Sequence, residues 1–227
     1  MTRRVALVHT VGSLQPLFAE LCAELLPGVE TVHVVDESLL RDAIAEGELT
    51  PAIRERLEAD LRPLATDADA VLVTCSSMGP AVEAARARVG RPVLRVDEPM
   101  ADEAVRLGDR VGVLATLATT LDPTADLVRR RAEAAGRRDV EVVPRLVAGA
   151  FDALRAGDAA RHDALVADAL VGLGRDVDVV VLAQASMARV ARAVPPSRLP
   201  VPVLSSPRSG VERLAQVVAA SAGVPPP

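Results

Sequence analysis

The chain has 227 residues, half of them apolar and a quarter charged, and its formal net charge is −5. All 26 basic residues are arginine, tyrosine and tryptophan are absent, and only two phenylalanines occur. The missing lysine excludes a Schiff base to a carbonyl or to pyridoxal phosphate, and also the lysine of a triphosphate-binding P-loop. The acidic balance and the shortage of stacking rings argue against a nucleic-acid partner.

Length and composition are typical of a globular protein that buries a large core without disulfides. No apolar run approaches the roughly 18 residues of a membrane span, so no membrane partner is expected. The first apolar run stops at His9 with no cleavage site after it, which favours a strand over a signal peptide. Two cysteines without a targeting segment indicate free thiols and a cytoplasmic location.

Short valine-rich runs alternate along the chain with Ala-, Leu-, Arg- and Glu-rich stretches of helical period. The apolar runs predict strands at residues 4–9, 31–35, 70–74, 93–96, 111–115, 140–143, 179–183 and 201–204. The stretches between them predict helices at residues 14–26, 51–62, 80–89, 101–107, 123–135, 162–173 and 211–220. Nearly continuous apolar strands that alternate with helices indicate parallel sheets covered on both faces, so the sequence predicts an α/β fold.

Two blocks of sequence recur in the second half of the chain. DADAVLVTCSSM at 67–78 aligns with DVDVVVLAQASM at 176–187 with five identities in twelve, and RVALVHT at 4–10 aligns with RVGVLAT at 110–116 with three in seven. Chance similarity between valine-rich strands is the alternative, but the two blocks are in register. We therefore predict two similar lobes, each a parallel sheet flanked by helices and related by an internal pseudo-repeat. Residues 1–98 with 205–227 form the first lobe and residues 99–204 the second. Loops at the carboxyl ends of both sheets would face one cleft, where open α/β sheets bind ligands.

Cys75 stands where a predicted strand ends and a helix begins. The positive end of a helix dipole and free backbone N–H groups at such a position both favour a thiolate. The same N–H groups, with the hydroxyls of Ser76 and Ser77, could hold a substrate carboxylate. The alternative is that Cys75 is a small buried hydrophobic residue. Cys22 falls in the apolar stripe of a helix and is expected in the core.

His9 and Thr10 end the first predicted strand, at the sheet edge that also carries Cys75. His9 could shuttle a proton or polarise a carboxylate, although a hydrogen-bonded structural histidine explains it equally well. His33 and His162 are expected to be structural or solvated. The histidines are scattered and neither HExxH nor CxxC occurs, so no metal site is expected.

Hydroxyl side chains cluster after the strand VGVLAT, where Thr116, Thr119 and Thr120 precede a predicted helix. Hydroxyl and N–H groups in such a loop can bind an anion, although ordinary helix capping accounts for part of the pattern. Asp97 and Glu98 end another strand, where a carboxylate could act as a base or lie in an exposed turn. No GxGxxG or Walker sequence follows a strand, which disfavours dinucleotides and triphosphates.

In this order the motifs resemble the aspartate/glutamate racemase superfamily, which also includes hydantoin racemases, maleate isomerases and arylmalonate decarboxylases. The resemblance covers nearly the whole chain, through the repeat, the TCSS around Cys75, the VDEP containing Glu98 and the VGVLAT before Thr119. Racemases of this kind place two cysteines on opposite faces of a carbon next to a carboxylate, where one removes a proton and the other delivers it. The resemblance implies an enzyme without cofactor or metal and a small carboxylate substrate, and it is compatible with a homodimer.

The second cysteine motif should fall in LAQASM, where the internal repeat also places the partner of Cys75. That partner is Gln184, and an amide can donate or accept a hydrogen bond but cannot act as a base near neutral pH. The chain thus resembles a variant without the second active-site cysteine. The single-thiol decarboxylases of the family are not a direct match, because they keep the cysteine in the second half.

Three functions are compatible with these residues. The preferred one is a racemase or isomerase in which Cys75 moves the proton, Gln184 orients the substrate or an enolate oxygen, and His9 replaces the missing acid/base. The expected substrate-binding residues are Thr10, Ser76, Ser77, Glu98, Thr116, Thr119 and Ser186. The second is a single-thiol decarboxylase or lyase, which protonates a carbanion from one face. The third is a carboxylate-binding module without catalysis.

Overall fold

The protein is described by a computed structural model over residues 3–221. The described residues form two four-stranded parallel sheets, and the chain divides into two compact units. The first unit contains the residues up to Asp97 and those from Pro207 onward, and the second unit contains Glu98–Ser206. The predicted α/β fold with two similar parallel sheets is confirmed.

The sheet of the first unit has the strand order β2-β1-β3-β4. Its elements are β1 (Arg4–His9), α1 (Gln15–Leu25), β2 (Glu30–Val35), α2 (Glu37–Glu46), α3 (Pro51–Asp67), β3 (Ala70–Val73), α4 (Gly79–Arg86) and β4 (Val93–Arg95). Short 3₁₀ helices at Gly12–Leu14 and Ser76–Met78 lead into α1 and α4. Both lie at carboxyl ends of strands, where loops of an α/β sheet carry functional groups.

The sheet of the second unit has the equivalent order β6-β5-β7-β8. Its elements are α5 (Glu98–Leu107), β5 (Arg110–Ala115), α6 (Ala118–Ala134), β6 (Glu141–Leu146), α7 (Ala150–Arg155), α8 (Ala159–Leu173), β7 (Val179–Leu182), α9 (Ala188–Ala193) and β8 (Val203–Ser205). A 3₁₀ helix at Ala185–Met187 precedes α9, as Ser76–Met78 precedes α4. The last helix, α10 (Ser206–Ala220), then packs in the first unit.

The strand registers of the two sheets correspond residue by residue. Arg4 on β1 lies opposite Glu30, and Arg110 on β5 lies opposite Glu141; both pairs form ion pairs. Because β3 and β7 pair with these strands in equivalent registers, Cys75 and Gln184 occupy equivalent positions, as the sequence repeat predicts.

The prediction missed three helices, α2, α7 and α9. α7 and α9 have only six residues each, too few to show a helical period. The signals for α2 lie at its ends, since the Asp36 side chain accepts a hydrogen bond from Ser38 N and Gly47 adopts a left-handed conformation with φ 74°. The predicted strands at 140–143 and 201–204 were also misplaced: β6 runs to Leu146, and β8 begins only after Pro202.

The alternating side chains of the first sheet are buried on both faces. Val8 and Val73 pack on the face covered by α2, α3 and α4, whereas Leu7 and Leu72 pack on the face covered by α1 and α10. Cys22 lies in the second of these cores and is 1% exposed, which confirms its predicted place. Among the described residues, no helix is long and apolar enough to cross a bilayer.

Candidate active site

The thiol of Cys75 lies at the carboxyl edge of the first sheet, just after β3. The backbone is still extended at Cys75 and then turns into the 3₁₀ helix Ser76–Met78. The hydroxyls of Thr10 and Ser77 and the backbone N–H groups of Ser77 and Met78 form hydrogen bonds with the sulfur. Since β1 and β3 are neighbours in the sheet, Thr10 and Cys75 meet although they are far apart in sequence.

Burial raises the pKa of the Cys75 thiol above its ordinary value, although the hydrogen bonds from Thr10, Met78 and Ser77 lower it. Burial is the larger effect, because removal from water disfavours the charged thiolate. The expectation that the strand end would favour a thiolate is therefore wrong for the resting protein. The Cys75 residue as a whole is nevertheless partly exposed at this sheet edge.

The predicted hydroxyl-bearing residues around Cys75 are more deeply buried than the Cys75 residue. Thr10 is 3% exposed, and Ser76 and Ser77 are 6% and 1% exposed. Apart from its contact with the thiol, the buried Thr10 hydroxyl has no hydrogen-bond partner in the described part of the chain. A hydroxyl has one proton and two acceptor lone pairs, so Thr10 can accept a hydrogen bond from a ligand, or turn its proton from the sulfur to the ligand.

His9 lies on the other face of the sheet from Cys75. Side chains alternate along a strand, and the His9 ring contacts Phe18 on the face covered by α1, with ring centroids 5.5 Å apart. Its Nδ1 lies 2.9 Å from Thr74 Oγ1, and its Nε2 lies 2.9 Å from His33 Nδ1. Both ring nitrogens are thus occupied, and the structure does not bring His9 to the thiol.

The His9 ring is neutral at physiological pH. Burial, together with the nearby His33, lowers the pKa of His9 to about 4. Burial also lowers the pKa of His33, whose Nε2 has no hydrogen-bond partner within residues 3–221. The chain Thr74–His9–His33 therefore positions the end of β1, next to Thr10, without carrying a charge.

The loop after β4 is held by a buried arginine. Arg95 is 2% exposed and donates from Nε and Nη2 to the two carboxylate oxygens of Asp97, both at 2.9 Å. Its Nη1 donates to Glu83 Oε1 on α4 at 2.5 Å. Asp97, a candidate base by sequence, is thus engaged with Arg95. Glu98, the predicted substrate-binding residue, is partly exposed at the start of α5.

The guanidinium of Arg95 also packs against the Cys75 loop. A Cβ added at Gly79 would lie 2.1 Å from Arg95 Cζ, so only glycine fits at this first residue of α4. The sequence motifs did not identify Arg95 as a functional residue. Its charge inside the apolar run VLRV is nevertheless a sequence feature that indicates a buried ion pair.

In the second unit Gln184 occupies the position of Cys75. Its Oε1 accepts hydrogen bonds from Thr116 N at 2.6 Å and from Thr116 Oγ1 at 3.0 Å. Because the Thr116 N–H can only donate, the atom facing it must be the amide oxygen. The NH₂ group of Gln184 has no hydrogen-bond partner in the part of the chain that the structure describes, so it can donate to a ligand.

The other predicted residues of the second unit lie close to this pair in sequence. Ser186 is partly exposed in the 3₁₀ helix after Gln184. Thr119 lies in the first turn of α6, and its buried Oγ1 has no hydrogen-bond partner within the described range. Thr10 with Cys75 and Thr116 with Gln184 are therefore equivalent pairs, in which an amide replaces a thiol.

The remaining histidine, His162, is structural. It is 1% exposed on α8, and its Nδ1 lies 2.7 Å from Asp163 Oδ1. Over residues 3–221, no group of three or more His, Cys, Asp or Glu side chains is arranged to hold a metal ion.

The chain belongs to the Asp/Glu/hydantoin racemase family, whose model matches residues 10–214, and it is therefore a racemase- or isomerase-type enzyme. No protein with a curated description matches it significantly in sequence.

Solved structures share the fold at low sequence identity. Glutamate racemase from Francisella tularensis in complex with D-glutamate has a TM-score of 0.75 and 14% identity, over 99% of this chain and 84% of that one. Picrophilus torridus aspartate racemase has a TM-score of 0.68 and 14% identity, over 99% and 96%. Allantoin racemase from Pseudomonas fluorescens has a TM-score of 0.59 and 21% identity, over 99% and 93%.

Proposed function

We propose that the protein is a cofactor-independent racemase or isomerase in which Cys75 transfers a proton at a carbon next to a carboxylate. The substrate would be a small amino-acid-like or dicarboxylic acid, the class suggested by the names of the similar racemases. One observation carries the proposal: a partly exposed cysteine stands at a strand end, with hydroxyl and N–H donors around its sulfur.

The same donors suit a carboxylate. The hydroxyls of Thr10, Ser76 and Ser77 surround the thiol loop, and neutral donors can hold an anion without a lysine. In the second unit we assign this role to Thr116, Thr119 and Ser186. Glu98 would contact a cationic group, such as an amino group, on the substrate.

Gln184 would stabilise charge rather than move a proton. As Cys75 takes the α-proton onto sulfur, the C–H electron pair passes into an enolate whose negative charge lies on the carboxylate oxygens. The open NH₂ group of Gln184 is a donor for such an oxygen, and its Oε1 is fixed by Thr116. Donors held in place before the charge develops are the effective ones.

Of the two equivalent residues, only Cys75 can therefore exchange a proton with the substrate carbon. Cys75 can return the proton to the face of the carbon from which it came, whereas its equivalent in the second unit is Gln184, whose amide is neither an acid nor a base near neutral pH. Racemisation in this protein would then need water to deliver the second proton. His9 would assist only by positioning the end of β1, since both of its ring nitrogens are occupied.

Exchange should therefore outpace racemisation. When single enantiomers of 2-substituted and dicarboxylic acids are incubated in deuterated water, the α-proton of a substrate should exchange at least about tenfold faster than its configuration is lost, because a positioned acid or base contributes roughly 10²–10⁴-fold. NMR measures the exchange and chiral chromatography the configuration. Equal rates would refute one-sided transfer, and no exchange with any acid would refute the enzyme proposal.

A second thiol, placed at position 184, should increase the rate of racemisation relative to the rate of α-proton exchange. In Gln184→Cys the new thiol faces Thr116 as Cys75 faces Thr10, so racemisation should rise by roughly 10²-fold relative to exchange. Gln184→Ser is the matched control, since it removes the amide without adding an acid or base of suitable pKa. The idea fails if the cysteine and serine variants racemise the same enantiomer at the same rate.

A single-thiol decarboxylase or lyase is the second candidate, and the raised pKa of Cys75 favours it. In a decarboxylation the C–C bond breaks, CO₂ leaves and the electron pair stays on the carbon, which then takes a proton from sulfur. A thiol that burial keeps protonated is ready for this step, whereas a racemase must first deprotonate it. Release of CO₂ with formation of a single enantiomer would select this reaction.

Ligand-dependent thermal stabilisation without turnover would instead indicate a binding module.

The pH dependence follows from the direction of the shift. Because the pKa of Cys75 is raised, its thiolate fraction should keep increasing beyond about pH 8.5, the ordinary thiol pKa. In a Cys22→Ala background, the rate of alkylation by iodoacetamide should therefore rise with a midpoint above that pH. A plateau below pH 8 would show that the hydrogen bonds outweigh burial.

A further inference from the structure

The second unit contains a cavity of about 260 Å³ between α9 and the neighbouring strands β7 and β8. The apolar residues that line it are Leu182, Ala188, Ala191, Leu199, Val201 and Val203. Leu199, Val201 and Val203 remain partly exposed there. Neither Gln184 nor Thr116 is among the described residues that line this cavity.

Two polar side chains complete the wall, Arg192 on α9 and Ser205 at the end of β8. Arg192 has no ion-pair partner among the described residues, although most arginines of the chain are paired. The Ser205 hydroxyl likewise has no hydrogen-bond partner in that part of the chain. An exposed arginine and a partly exposed serine thus line an otherwise apolar space.

The internal repeat shows what fills the equivalent space in the first unit. Equivalent strand registers align Ser205 with Arg95, and equivalent 3₁₀ helices align Arg192 with Glu83. In the first unit the Arg95 guanidinium lies in this place, where it is paired with Glu83 and packed on Gly79. The chain fills this position with its own ion pair in one unit and leaves it open in the other.

The charges are also exchanged between the two units. In the first unit the helix supplies the anion and the strand the cation, whereas in the second the helix supplies a cation and the strand only a small hydroxyl. The group missing from the second unit is therefore an anion. Ala188, which replaces Gly79, lines the cavity.

We propose that this cavity, distinct from the Cys75 site, binds a small carboxylic acid with a short aliphatic body. The carboxylate would pair with the Arg192 guanidinium, whose fork matches two oxygens, and would accept from Ser205. The aliphatic part would contact Leu199, Val201 and Val203. A dianionic phosphate fits less well, because a single arginine lines the cavity within the described range. The volume limits the ligand to a few heavy atoms.

The site adjoins the segment that carries Gln184. α9 follows directly on the 3₁₀ helix Ala185–Met187, which itself follows Gln184. A ligand held by Arg192 would therefore contact the helix on which the Gln184 loop rests.

The proposal is tested with 3-methylbutanoate as the probe, on protein carrying ¹³C-labelled leucine and valine methyl groups. Titration should give saturable shifts of the methyl signals of Leu199, Val201 and Val203, both in the native protein and after alkylation of Cys75. The uncharged 3-methylbutanamide should bind at least about tenfold more weakly, because it loses the charge-assisted hydrogen bonds.

Single substitutions distinguish binding in this cavity from non-specific attraction of the acid to other arginines. Arg192→Gln should weaken binding at least about tenfold, whereas Arg198→Gln, a neighbouring exposed arginine paired only loosely with Asp168 at 3.8 Å, should leave it within about twofold. Ala191→Val, which copies Val82 of the first unit, should weaken binding by narrowing the cavity. Equal affinity of the acid and the amide, unchanged binding in Arg192→Gln, or shifts confined to methyl groups around Cys75 would each overturn the proposal. None of these outcomes depends on turnover at Cys75.

Discussion

Replacing Cys75 with serine should lower turnover, or α-proton exchange, by about 10²–10⁴-fold, which is the usual contribution of a positioned acid or base. The hydroxyl of serine has nearly the same size and keeps the hydrogen bonds to Thr10 and Ser77, but it is far less acidic than a thiol. The variant should fold as the native protein does, so the loss would come from proton transfer alone. Exchange in deuterated water, followed by NMR, measures it.

Cys22→Ala is the matched control for this variant. Cys22 is buried in α1, and burial raises its pKa to about 11, so it takes no part in proton transfer or alkylation. This variant should keep full activity and lose only some stability from the small cavity that it creates. Substrate should protect Cys75, but not the buried Cys22, against alkylation. Full activity of Cys75→Ser would exclude the thiol mechanism.

The internal repeat makes the Gln184 position informative about the reaction. Thr10 contacts the thiol in the first unit, and Thr116 contacts the amide oxygen in the second, at equivalent places in two equivalent sheets. The scaffold that presents the group is the same in both units, and only its acid–base chemistry differs. A hydrogen-bond donor at the position equivalent to a proton carrier suits a reaction in which only one group exchanges protons with the carbon and a fixed donor stabilises the charge.

Much of this arrangement could be predicted from the sequence. Valine-rich strands gave the α/β class, and the alignment of Asp69 with Asp178 fixed the register that pairs Cys75 with Gln184. The structure shows why those aspartates recur: Asp69 accepts from Arg4 N, and Asp178 accepts from Arg110 N at the start of the equivalent strand. Such local patterns persist in the fold because they are satisfied between neighbouring strands.

Other features depend on which face a side chain takes and on what buries it. His9 shares a sheet edge with Cys75, but alternation along β1 turns it toward Phe18 and His33. The pKa of Cys75 is raised because burial outweighs the N–H groups at the strand end, and burial is set by residues distant in sequence. The position of these residues in the sequence predicts the sheet edge at which they lie, but neither the face of the sheet that the side chain takes nor its protonation state.

The pairing of Arg95 should have the largest effect on stability. Asp97→Ala removes the bidentate partner of a guanidinium that is almost fully buried, so the free energy of unfolding should fall by about 3–5 kcal/mol. Urea denaturation measures the loss. Asp102→Ala is the matched control, because it breaks an exposed arginine–carboxylate pair with Arg131 and should cost less than about 1 kcal/mol.

The same variant links stability to the thiol site. Arg95 packs on Gly79, which directly follows the 3₁₀ helix after Cys75, so loss of its partner should loosen that loop and speed alkylation of the thiol. A double variant, Arg95→Leu with Asp97→Leu, removes the two fully buried charges and leaves only the partly exposed Glu83, so it should recover most of the stability, since a buried pair replaced by apolar side chains is often neutral. If Asp97→Ala costs no more than Asp102→Ala, the pairing of Arg95 with Glu83 or contact with water is sufficient for the guanidinium, and Asp97 does not hold this loop.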